Sequence, residues 1–238
     1  MITRMRPISL VAPRHRLTAA LGYLGRLAIG IPASSAAWVL LLLVLPSCKP
    51  KALQTLLAPS QALGTVLAEE SLRLAGTKKQ IALITHDASW GPASKAEEAL
   101  KGALEKRGAT VMIAKAANLG NPMLSGQPGL KAADFFEALE KSAGAGAVIS
   151  LVGPPLLAEG DDARLGSNHP PVLVVATASL GDKMGVHTDP VQLARLLDAR
   201  VIQLAIIDGG DPSAKPAAKA DPTRELFAQN YRILCRPD

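Results

Sequence analysis

Aromatic residues make up only 3% of this 238-residue chain: two Trp, two Tyr and three Phe. So few rings exclude the usual platform for single-stranded nucleic acid, which needs aromatics set along a basic groove. Cysteine is equally scarce. Cys48 and Cys235 lie too far apart for a CxxC pair or a zinc knuckle, so neither metal nor dithiol chemistry is indicated. Acidic residues are missing altogether from residues 1–51, which hold seven of the 26 basic ones. The net charge of +6 therefore belongs to that segment, because the rest sets 19 basic against 20 acidic residues. A near-neutral body offers no electrostatic footprint for nucleic acid. Signatures of catalysis are lacking too: there is no GxGxxG after a strand, no GxxxxGK[ST], no GxSxG elbow and no HExxH.

Apolar residues are plentiful at 48%, enough for the core of one domain plus a leader. Residues 36–45 (AAWVLLLLVL) form ten uncharged positions behind an arginine-bearing stretch and ahead of Pro46, Ser47 and Cys48. That order is the layout of a secretory signal. Basic residues are retained on the cytoplasmic side, so the body is expected outside. Counted from Leu27, the apolar run covers residues 27–45, which just spans a bilayer as a helix despite Gly30 and Pro32. A cleaved signal and an uncleaved anchor both remain open on this pattern. Leu45, Ser47 and Cys48 resemble the lipobox of bacterial lipoproteins. The resemblance implies lipidation at Cys48, where acyl chains contribute about 0.8 kcal/mol per buried methylene to membrane attachment. Cys235 then reads as a small apolar residue of the last strand.

The expected organisation is a basic leader with a signal or anchor helix over residues 1–47, a tether over 48–62 with two prolines, and a body over 63–238. A helix is expected to open the body and to end at Gly76. Apolar β-rich runs follow at residues 81–86 (IALITH), 110–114 (TVMIA), 147–152 (AVISLV), 172–177 (VLVVAT) and 201–207 (VIQLAII). Runs without polar alternation suit strands covered on both faces. Helical patterns alternate with them at residues 94–107, 132–142 and 190–198, and a short helix and strand close the chain at 223–228 and 231–235. The fold class predicted is α/β: a single three-layer doubly wound domain with a mostly parallel five- or six-stranded sheet, in Rossmann-like or flavodoxin-like order. The loop at residues 208–222, rich in Pro, Ala and Lys, is expected on the surface.

In such a sheet ligands bind beyond the carboxyl ends of the strands. The candidate ligand-binding residues are accordingly His86, Asp87, Ser89 and Trp90 after the first strand, and Thr177 and Ser179 after the fourth. The helix that starts near Ser94 is expected to present free backbone N–H groups to an anion. Ordinary loop and cap chemistry accounts for the same residues, with Ser89 or Ser94 as N-cap and Trp90 packing the loop. No catalytic residue, metal or cofactor is assigned.

Residues 80–111, with Trp90-Gly91 after the first strand and Gly108 closing the helix, resemble the opening βαβ unit of type I periplasmic substrate-binding proteins of the branched-chain amino-acid class. Residues 132–153 resemble that family's next helix and strand. The resemblance implies a small polar ligand. It also implies a site closed by a second lobe, for which this body has no room, so that a second chain or a partner would supply the other wall. The function expected is a non-catalytic ligand-binding or sensing module of the cell envelope, held at the membrane by a lipid on Cys48 or by residues 27–45, with its domain on the periplasmic side. A structural envelope protein without a small-molecule ligand, and an enzyme acting at the same strand ends, are the alternatives; the protein partner is not specified by the sequence. Mass spectrometry of membrane-extracted protein is expected to find Cys48 as a modified N-terminus. An intact, unmodified leader would rule out lipidation.

Overall fold

The computed structural model describes residues 51–120, 129–166, 168–186, 188–211 and 221–236. The leader, residues 27–45 and Cys48 lie outside the described residues, as do residues 212–220 of the loop expected at 208–222. Among the described residues no helix is long and apolar enough to cross a membrane.

The described chain begins with a long helix, α1 (Lys51–Ala75). This corrects the expected tether, because residues 51–62 are its first half. Pro59 lies inside the helix and removes one N–H from its ladder, usually a strong reason for a helix to stop. Tertiary burial outweighs that cost: Ser60, Ala62, Leu63, Val66 and Leu67 are all buried. Gly76, at φ +61°, turns the chain into β1 (Gln80–His86), as expected of a glycine past a helix end.

Next come α2 (Lys95–Lys106), β2 (Thr110–Ala117), β3 (Leu130–Lys131), α3 (Ala132–Lys141), β4 (Ala147–Ser150), β5 (Pro155–Leu156), β6 (Val172–Ala176), α4 (Pro190–Asp198), β7 (Leu204–Asp208), α5 (Pro222–Asn230) and β8 (Tyr231–Cys235). Six strands form one sheet in the order β2-β1-β4-β6-β7-β8, while β3 and β5 pair separately. Five of the six are parallel; β8 runs antiparallel to β7, with Tyr231 opposite Asp208 and Cys235 opposite Leu204. Of the two orders expected, this is the flavodoxin-like one, and it reverses direction between β1 and β4. The fifth strand starts at Leu204 rather than 201; Val201 and Ile202 are buried in the turn before it.

Strand residues alternate between two cores. Ala82, Ile84, Val148, Val172, Val174 and Ala205 face α3 and α4, with Phe135 and Leu193 among the covering side chains. Ile81, Leu83, Ile149, Leu173, Val175 and Ile206 face the layer of α1, α2 and α5. Burial on both faces is why the strand sequences show no polar alternation.

The helices of that second layer are joined by charge as well as by packing. Glu69 of α1 accepts from Arg107 at 2.6 Å and from Arg224 of α5 at 2.6 Å; Glu70 bonds Arg73 at 2.8 Å. Gly64 lies where α1 crosses α2, and a Cβ there would sit 2.2 Å from the Ala96 carbonyl oxygen and 2.7 Å from the Leu100 nitrogen. Both are backbone atoms and cannot swing aside. Gly64→Ala is therefore expected to destabilise the domain by about 1–3 kcal/mol in chemical denaturation, the usual cost of overpacking. An unchanged midpoint would mean that the two helices are not in this contact.

Candidate functional site

The carboxyl ends of the parallel strands form one rim, and three loops meet on it. The first follows β1. Asp87 donates its backbone N–H to the Ala117 carbonyl at 3.0 Å, and its carboxylate accepts from both the backbone N–H and the hydroxyl of Ser89. This cap folds residues 88–90 into a single 3-10 turn that ends at Gly91, at φ +84°. The turn carries Trp90 back toward the strand, so that its ring centroid lies 5.3 Å from that of His86 at a tilt of 40°. Trp90 is half-buried, packed on the core beneath α3 and α4.

The second loop follows β6 and fills the space beside the first. Thr177 is fully buried and donates its hydroxyl to the Ser179 carbonyl at 3.0 Å. Ser179 accepts from the Gly181 N–H at 3.1 Å and bridges to Met184 through its backbone. Lys183 reaches across to donate to the Gly91 carbonyl at 3.3 Å. Asp208, at the end of β7 on the third loop, accepts from the Ala178 N–H at 2.6 Å.

The expected anion site at the start of α2 is filled by the protein itself. The Lys95 N–H donates to Asp182 at 3.0 Å, the Ala96 N–H to the Leu180 carbonyl at 3.3 Å, and the Glu97 N–H to the hydroxyl of Ser94, the N-cap. With those donors satisfied, nothing at this terminus is offered to an anion. The six expected ligand residues thus divide by what their side chains do. Asp87 and Ser89 bond each other, Thr177 and Ser179 are used within their own loop, and His86 and Trp90 stand together.

His86 differs from the rest in one respect. Among the described residues its Nε2 is the one buried side-chain nitrogen or oxygen without a hydrogen-bond partner. Such an atom costs about 1–3 kcal/mol while it stays unpaired. Burial holds the imidazole below its ordinary value of 6.5, and the positive charge of Lys183 lowers it further, against smaller opposing effects of Glu97 and Asp87. The ring is thereby kept neutral, with one nitrogen able to accept. Lys183 and Asp182 are not among the expected residues, because they lie further along the loop than the first positions beyond β6.

Three clefts lined by described residues lie elsewhere and include none of His86, Trp90 and Ser179. The widest, about 440 Å³, runs between α1 and α2 past Thr65 and Arg107. Among the described residues no group of three or more His, Cys, Asp or Glu is arranged to hold a metal ion.

No family model matches this sequence, and no curated protein matches it. A solved structure of an alcohol dehydrogenase from Oenococcus oeni is similar over 49% of this chain, at 17% identity and a TM-score of 0.32. The match spans a third of the dehydrogenase's own length, and a likeness that slight carries no argument about activity.

The depressed His86 value fixes a sign. Below 6.5 the unfolded chain takes up a proton that the folded one resists, so this contribution to stability is complete above 6.5 and is lost as pH falls through the folded value. Thermal melts between about pH 7 and pH 5 are expected to show a decline that His86→Gln flattens; one proton accounts for at most about 1.4 kcal/mol per pH unit. A slope unchanged in the variant would assign the loss to other groups.

Proposed function

We propose that the protein is an exported, membrane-tethered, non-catalytic module of the cell envelope that binds a small polar ligand at the rim of its sheet. The observation that carries this reading is the buried, unpaired Nε2 of His86 beside the Trp90 ring. A ligand that donates to this nitrogen and lays an apolar face on the indole would satisfy the one and cover the other. The position supports the reading as well, since His86 ends β1, next to the reversal of strand order, where doubly wound sheets hold their ligands.

Export and tethering rest on the sequence of residues 1–48, with its basic start, apolar run and lipobox-like cysteine. The resemblance of residues 80–111 and 132–153 to type I periplasmic substrate-binding proteins suggests an amino acid or a similar small metabolite. It also suggests that a second wall comes from another chain. A binding role fits a rim whose carboxylates Asp87, Asp182 and Asp208 each accept a backbone N–H group.

Thermal-shift screening against amino acids and small polar metabolites tests the proposal. At a hundredfold excess over its dissociation constant, a true ligand is expected to stabilise the wild type by about 2.7 kcal/mol and to lose that effect in His86→Ala and Trp90→Ala. Stabilisation that both variants retain would move the site away from this rim, and no stabilisation by any compound would count against a ligand altogether.

A further inference from the structure

We infer that α2 is a contact surface for a second copy of this chain, with the two α2 helices packed antiparallel about a twofold axis at Gly102. The inference stands apart from the ligand and membrane readings above, because every residue in it belongs to the layer of α1 and α2.

A glycine without a use in its own chain supplies the first observation. Two glycines lie inside helices among the described residues, Gly64 in α1 and Gly102 in α2. A glycine in mid-helix weakens the helix relative to alanine, so each calls for a reason. Gly64 has one, because the backbone of α2 leaves no room for a Cβ. Gly102 has none within the domain, since a Cβ there would meet nothing within 4 Å. It lines the cleft of about 440 Å³ between α1 and α2, with Ala99 beside it and Gln61 and Thr65 of α1 across the gap. A bare stretch of helix lets another backbone come close.

The charges on either side of Gly102 specify which backbone. Glu98, Gly102 and Lys106 follow one another at four-residue spacing and so form one ridge of the helix. That ridge is negative at one end, empty in the middle and positive at the other. Glu98 and Lys106 are both exposed. Glu98 bonds Lys95 in the preceding turn at 2.6 Å, and Lys106 makes no ion pair among the described residues. A twofold axis at Gly102 lays one copy of the ridge end for end on the other. Glu98 of each copy then meets Lys106 of its partner, and the two glycines meet at the axis, where side chains would hold the helices apart.

Other arrangements fit less well. Parallel helices in the same register would set Glu98 on Glu98 and Lys106 on Lys106, like charge on like. A partner of uniform charge, whether nucleic acid or an acidic surface, would be repelled at one end of the ridge. Gln61 and Thr65 on the far side of the cleft are neutral and oppose neither charge. The axis also turns the two sheets end for end, so the rims that carry His86 lie at opposite ends and neither is covered.

The experiment follows association of the full chain in detergent solution by sedimentation over a series of concentrations. The wild type is expected to pass from one chain to two. Gly102→Gln is expected to weaken the dimer by about tenfold or more. Its melting temperature at dilutions where the chain is single should not fall, because the added side chain enters open space. Glu98→Lys and Lys106→Glu are each expected to weaken the dimer by about tenfold or more, and the double variant to return to within about threefold of the wild type. Within one helix the two positions are separated by about 12 Å of rise, so such a return needs a second copy. A chain that stays single at every attainable concentration overturns the inference. So does a dimer indifferent to all three single changes, which places the contact on another surface. A dimer weakened by each reversal and not restored by the double variant overturns the antiparallel arrangement.

Discussion

Leu63, Val66 and Leu67 of α1 are buried without remainder against the side of the sheet formed by Ile81, Leu83, Ile149 and Leu173. Each such side chain contributes about 1.5–3 kcal/mol over its exposed state, and together they outweigh a proline in the helix. The rest of the domain depends on this contact. Without α1, the middle of the sheet would face water between α2 and α5, and Arg107 and Arg224 would lose the α1 carboxylates that pair with them. Gly64 shows how close the fit is, since the crossing of α1 with α2 leaves no room for a methyl group.

The same contact shapes the rim. Because Ser60 of α1 lies against Gly181, the loop of residues 177–186 is held over the start of α2, where Asp182 and the Leu180 carbonyl take up the first N–H groups of that helix. Lys183, next in line, then comes to rest on Gly91 and close enough to His86 to weaken its hold on a proton. A packing decision far from the loops thereby determines which polar atoms are consumed and which one remains. The anion cradle common to sheets of this type is closed, and an imidazole nitrogen is left open beside an indole.

Much of this was legible in advance. Strands in the body of the sheet announce themselves by unbroken apolar runs, and the five parallel strands fall where those runs lie; β8, a partly exposed edge strand, falls at residues 231–235, where a closing strand is expected. Ser94 as the N-cap of α2 and Gly76 after α1 follow from local chemistry alone. Two things were not legible. Pro59 and the mixed pattern around it suggest a break, and only the sheet that covers residues 60–67 reverses that preference. The side chains of Asp87, Ser89, Thr177 and Ser179 have the right chemistry at the right strand ends. They bond partners two residues away, but how their loops sit on the rim is set by contacts far apart in sequence, Asp208 on Ala178 and Asp182 on Lys95, which no local pattern reveals.

The ion pairs between α1 and α5 have a temporal side. Glu69 and Arg224 are separated by 155 residues, and α5 packs on α1 through the core that also holds Phe227. Contacts of such long sequence separation form late, since the intervening chain must first be ordered. During synthesis the first helix would emerge long before its last neighbour, and the part of its flank that meets α5 would wait uncovered until residues 221–236 appeared. A protein so arranged closes only when its final helix and strand arrive.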